Sequence, residues 1–171
     1  MTKSARVFAV LSVLSIGCLS HVPGVAAQMA KSGEFSGVYG WNFPSSAVVE
    51  LEKEHIIWGG ASTGAFRNDA GDGFLHGAIE VCTSAGEAAK GAQLHNAGNC
   101  VFSDKDGDKV FAVYSCSECP NKTAGTFKWT GGTGKYAGVK GAGTYQETFL
   151  GAGPTGFGSG WSVLKGNYQL P

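Results

Sequence analysis

Among the side chains of this 171-residue chain whose type and spacing could do chemistry, Glu147 comes first. Read as a strand, Gly143 to Phe149 puts Tyr145, Glu147 and Phe149 on one face and Thr144, Gln146 and Thr148 on the other. With the aromatic face inward, Glu147 is a carboxylate in an apolar interior, where desolvation raises its pKa and suits it to general acid or base work. Near a rim, it is an ordinary solvated or hydroxyl-bonded group. His55 shares a face with Leu51 and Ile57 and is a second inward candidate, so the catalytic candidates are Glu147, Tyr145 and His55. His76, Glu80 and Cys82 lie opposite Leu75, Ile79 and Val81, which reads as an outward polar row.

Other constellations point away from specific chemistries. Asp104-Lys105-Asp106-Gly107-Asp108 offers three alternating carboxylates and invites calcium. Its glycine falls at the fourth position instead of the sixth, and Ser115 stands where a twelfth-position glutamate belongs. The Asp-Gly pair suits a hairpin turn with solvated carboxylates. No Gly-x-Ser-x-Gly elbow is present, and Gly131-Gly132-Thr133-Gly134 lacks the Lys-Ser/Thr ending of a phosphate loop. His55, His76 and His95 do not have metal-ligand spacing, so neither metal nor cofactor is expected.

The elements that must position these groups are short strands. Twenty-eight glycines against five prolines, dispersed between apolar and aromatic stretches, punctuate many strands, and no segment has helical periodicity with caps at both ends. Candidate strands are 34–42, 47–58, 62–67, 73–83, 99–103, 109–115, 125–130, 143–149 and 161–170, with at most a turn of helix in 84–90. Eight or nine strands make a closed barrel or a sandwich.

The chain opens like an exported protein. Lys3 and Arg6 precede the uncharged apolar run Val7 to Leu19, which is too short to span a membrane, and Val25-Ala26-Ala27 offers a peptidase site. Residues 1–27 are therefore expected to be a signal peptide and residues 28–171 one domain, periplasmic or secreted. The alternative is lipid anchoring at Cys18, since Ile16-Gly17-Cys18 has the form of a lipoprotein box. Losing Lys3 and Arg6 reduces thirteen basic residues to eleven against thirteen acidic ones, a net charge of −2 without a basic cluster. That argues against nucleic acid as a partner. Four cysteines remain, and export favours disulfides. Cys82 with Cys100, clamping 83–99 at its base, and Cys116 with Cys119, closing a small ring, are the expected pairs. A redox or metal role for Cys116-x-x-Cys119 is the alternative.

The run Gly125 to Tyr145 (GTFKWTGGTGKYAGVKGAGTY) resembles the strand-loop-strand signature of allene oxide cyclase-like barrel proteins, a group related in fold to the plant dirigent proteins. CVFSDKDGDKVF (100–111) and WSVLKGNYQLP (161–171) extend the resemblance over 99–171; it thins before Gly73. It is greatest to secreted bacterial members. The resemblance implies an all-β, single antiparallel eight-stranded barrel with a central cavity, a scaffold that serves several functions. In such a barrel Trp58, Phe127, Trp129, Phe149 and Trp161 are the expected ligand-binding aromatics. The leading expectation is a small apolar ligand, or an envelope partner, bound without catalysis. The alternative is a cofactor-independent isomerase or cyclase, or a dirigent-like protein.

Overall fold

The structure is a computed structural model, described over residues 29–117, 124–151 and 158–171. The expected leader, Cys18 and Cys119 lie outside the described residues. Eight antiparallel strands close into a barrel in chain order: β1 (Ser32–Glu52), β2 (His55–Asn68), β3 (Ile79–Ala89), β4 (Ala92–Ser103), β5 (Lys109–Ser117), β6 (Ala124–Gly132), β7 (Ala142–Gly151) and β8 (Gly158–Gln169). β1 pairs with both β2 and β8, so this ladder closes the ring. The all-β eight-stranded barrel is therefore observed. The one helical element among the described residues is a 3-10 turn at Gly134–Tyr136.

Several boundaries differ from the sequence reading. The segment 47–58 is split, because β1 runs on to Glu52 and turns at Lys53-Glu54, where Glu54 takes φ 61°. β2 absorbs 62–67. Residues 84–90 contain no helix, and 83–99 is not a loop. β3 and β4 pair directly across this stretch, with Thr83 opposite Asn99 and Ala89 opposite Ala92. Small residues suit these strands because large rings cross the barrel interior from their neighbours. A Cβ on Gly98 would lie 2.3 Å from the Thr83 carbonyl oxygen and 2.6 Å from the Tyr114 ring. Glycine permits that close approach, and the ring covers the gap.

Inward aromatics fill one end of the barrel. The segment between β2 and β3 folds in as a plug, with Phe74, Leu75 and Ala78 buried. Positive φ at Gly71, Gly73, Gly77 and Leu75 bends it. Asn68 Nδ2 donates to the Phe74 carbonyl at 3.0 Å, and Phe66 N donates to the Ala78 carbonyl at 2.9 Å. The Phe74 ring stacks on Tyr168 at 4.1 Å and meets Phe35, Trp129 and Tyr136 at 5.4–5.8 Å. These contacts make a packed aromatic floor, above which the barrel is open.

Candidate functional site

Strand alternation and the plug together leave a cavity of about 470 Å³ in the open half. Its floor is Phe102, Phe127 and Trp129, and Phe43, Trp58 and Phe149 stand towards the mouth. Between them lies a belt of polar side chains on an otherwise aromatic wall. Tyr39 and Trp41 come from β1, Glu80 and Ser84 from β3, Asn96 from β4, Tyr114 from β5, and Tyr145 and Glu147 from β7.

Part of this belt is paired. Tyr145 Oη donates to Asn96 Oδ1 at 3.0 Å, Tyr114 Oη donates to Ser84 Oγ at 2.6 Å, and Asn96 also hydrogen-bonds Glu147. Three buried polar atoms of the belt have no hydrogen-bond partner among the described residues: Tyr39 Oη, Trp41 Nε1 and Glu80 Oε2. Tyr39 approaches Ser62 without hydrogen-bond geometry.

Burial sets the electrostatics. Desolvation, and then the charge of Glu147, hold the Glu80 carboxyl well above the usual carboxylate range. Glu147 is pushed up to about 7 by burial, against the opposing hydrogen bond from Asn96. Burial also pushes Tyr39 and Tyr145 up, and Tyr114 to about 12. The belt therefore holds neutral hydroxyls, a Glu80 that burial biases towards its protonated form and a Glu147 that titrates near 7. Such a belt can donate hydrogen bonds, and its two carboxyls can exchange a proton with a bound molecule.

The predicted Glu147 and Tyr145 do share the inner face, and Trp58, Phe127, Trp129 and Phe149 line the cavity. Trp161 does not: Gly160 and Ser162 take the inward positions, leaving its ring 38% exposed outside. His55 is a correction too. It shares a face with Ile57, as expected, but Ile56 and Trp58 are the inward residues and this face is the outer one. There His55 Nε2 meets Glu87 Oε1 at 2.6 Å, and Glu87 Oε2 meets His95 Nε2 at 3.1 Å.

Glu80 is the residue that sequence reasoning placed wrongly. Residues 73–78 belong to the plug, so β3 begins at Ile79 and turns Ile79 and Val81 outward, leaving them 60% and 49% exposed. Glu80 and Cys82 point inward and are buried. The usable signal was Cys82 itself: a cysteine expected to cross-link to the neighbouring strand marks its face as interior, and Glu80 shares that face.

The Cys82–Cys100 disulfide is present, between residues directly opposite one another on β3 and β4. Cys116 is buried and disulfide-bonded. Glu80, Cys82 and Cys100 bring ligand atoms within 4.8 Å of one another, but the sulfurs are bonded to each other, so this set does not fit a metal ion. At the other end of β4, the Asp104–Asp108 hairpin turn is neutralised from within. Lys135 Nζ lies 2.5 Å from Asp104 and 2.7 Å from Asp106, where a cation would sit.

No family model matches the chain, and no curated protein matches it. Two solved structures of pterocarpan synthase dirigent proteins are similar to it. One is 11% identical with a TM-score of 0.46, covering 98% of this chain and all of that one. The other is 15% identical with a TM-score of 0.43, covering 84% of this chain and 97% of that one. Nothing about activity follows from a likeness of that size.

Proposed function

We propose that this is an exported barrel of the allene oxide cyclase-like, dirigent-related group that binds a small, largely apolar ligand without turning it over. The observation that carries this reading is the set of unpartnered polar atoms in the aromatic cavity: Tyr39 Oη, Trp41 Nε1 and Glu80 Oε2. Each such atom costs on the order of 1–3 kcal/mol when buried without a partner. A ligand with an aromatic body, an acceptor atom for Tyr39 Oη and Trp41 Nε1 and a donor for Glu80 Oε2 satisfies them while covering the rings. The raised pKa values of the belt carboxyls favour a neutral ligand over an anion.

The test is fluorescence titration with the neutral dye N-phenyl-1-naphthylamine. Saturable one-to-one binding is expected, weakened at least tenfold by a Ser62→Trp wedge in the cavity wall. Absence of saturable binding, or full binding by the wedge variant, overturns the reading.

A second reading, a cofactor-independent isomerase, is favoured by one observation: two carboxyls, Glu147 pushed up to about 7 and Glu80 also raised by burial, face one apolar cavity where they can pass a proton to and from a bound molecule. It predicts that a ligand co-purifying with the protein exchanges carbon-bound hydrogen in deuterated water, and that Glu147→Gln abolishes the exchange. A dirigent-like role shares the binding step and predicts no exchange.

A further inference from the structure

The contact between Glu80 and the disulfide is not needed for ligand binding. Glu80 Oε1 lies 2.6 Å from Cys82 Sγ, and Cys82 and Cys100 both face the cavity. Sulfur in a disulfide carries no hydrogen, so in this contact only a protonated Glu80 can donate, its O–H to sulfur. The cross-link also has little to clamp. β3 and β4 are already paired from Ile79–Ser103 to Ala89–Ala92 and joined by the tight turn Lys90-Gly91, where Gly91 has φ 75°. A disulfide pointing into a cavity, with an acid against one of its two sulfurs, is arranged for opening.

We propose that Cys82–Cys100 is a reducible dithiol couple served by a small neutral thiol entering the cavity, with Glu80 as the proton donor to Cys82. The thiol first gives its proton to solvent. Its thiolate then attacks Cys100 Sγ, the sulfur farther from Glu80, and forms a mixed disulfide. The Cys82–Cys100 bond breaks, its electron pair goes to Cys82 Sγ, and Cys82 takes the Glu80 proton. A second thiol resolves the mixed disulfide by attacking its outer sulfur, and Cys100 leaves with the second thiol's proton. Glu80 regains a proton from solvent. Two thiols are oxidised to one disulfide, and the protein disulfide is reduced to two thiols. The polarity follows from geometry: attack at Cys82 would meet the Glu80 carboxyl, and a leaving thiolate departs faster when its charge is quenched.

Dithiothreitol, a neutral dithiol, is the probe. The folded full chain is exposed to it at pH 7, quenched with iodoacetamide, and the Cys82 and Cys100 peptides are quantified by mass spectrometry, which separates them from Cys116. Opening is expected to be much faster than global unfolding measured under the same conditions, and at least tenfold slower in Glu80→Gln, which keeps the shape but has no acid proton. A structural effect of that variant is separated by the pH profile of the wild-type chain. Divided by the dithiothreitol thiolate concentration, its rate falls as pH rises and Glu80 ionises, whereas that of Glu80→Gln stays flat. A wild-type rate in Glu80→Gln, a flat wild-type profile, or opening only at the unfolding rate overturns the proposal.

Discussion

Trp129 and Trp41 both point into the barrel, yet the barrel uses them differently. At the plugged end the Trp129 indole donates to the Asn167 carbonyl at 3.0 Å, and its ring meets Phe35, Phe74, Phe102 and Phe127 at 4.8–5.8 Å. In the open half, among the described residues, Trp41 keeps a buried N–H without a partner and meets one ring, Phe149, at 6.2 Å. One end has spent its polar groups and its apolar surface on the fold. The other has kept both in reserve, which is what a binding site requires.

The contrast is broken most severely by attacking the plug. Phe74→Ala removes a ring that stacks on Tyr168 and meets three others, and is expected to cost about 3–5 kcal/mol in urea unfolding. Dye binding by the fraction still folded should change little. If stability is nearly unaffected while binding is lost, the division between the two halves is wrong.

Next in size is the pH response of the open half. The folded-state pKa of Glu147 is raised to about 7, so the folded protein holds this proton more tightly than the unfolded chain. The sign follows: this stability is fully present below the ordinary carboxylate range, near pH 4.5, and is lost as pH rises through about 7. Tm measured from pH 4 to pH 8 should fall across that window, and Glu147→Gln should flatten the fall. A plug variant such as Phe74→Leu should lower the curve without changing its slope.

The Asp104–Lys135 pair braces the β4–β5 turn, with Lys135 partly exposed and the Asp104 side chain only 6% exposed. Lys135→Met leaves that carboxylate without its cation and is expected to cost about 1–3 kcal/mol. Asp106, held down to about 2 by Lys105 and then Lys135, contributes stability above the ordinary aspartate range that is lost as pH falls through 2. The smallest effect belongs to the outer histidine. The Glu87 hydrogen bond raises the His55 pKa, so its contribution is present below pH 6.5 and lost as pH rises through the raised value. His55→Gln should leave dye affinity unchanged; a large change would place the site on the wrong face of the wall.

The two halves were not equally legible in the sequence. β5, β6 and β7 alternate apolar and polar residues, and Asp-Gly marks the turn before β5, so their positions and the shared face of Tyr145 and Glu147 could be read directly, though not which way that face points. The tips of β3 and β4 could not. Ser84 to Ala89 is a run of small residues and one glutamate, apolar enough for neither a strand face nor a helix stripe. Its strand character comes from rings such as Trp58, whose edge would lie 2.7 Å from a Cβ on Gly86. Glu80 was obscured for a related reason. Phe74 and Leu75 are apolar because they build the plug, and counting them into β3 assigned its inner face to Ile79 and Val81.

Seven of the eight ladders join strands that are neighbours in the chain. The eighth pairs Ser32 with Gln169 and so joins the first strand to the last. In time, as opposed to space, this sets an order of events. As the chain is made from its N-terminus, β1 to β7 can zip one after another, yet each partial sheet keeps two raw edges of unpaired N–H and C=O groups until β8 arrives. Those edges are templates for another chain in the same condition. The slowest and most aggregation-prone moment in the life of this protein is therefore the wait for its final strand.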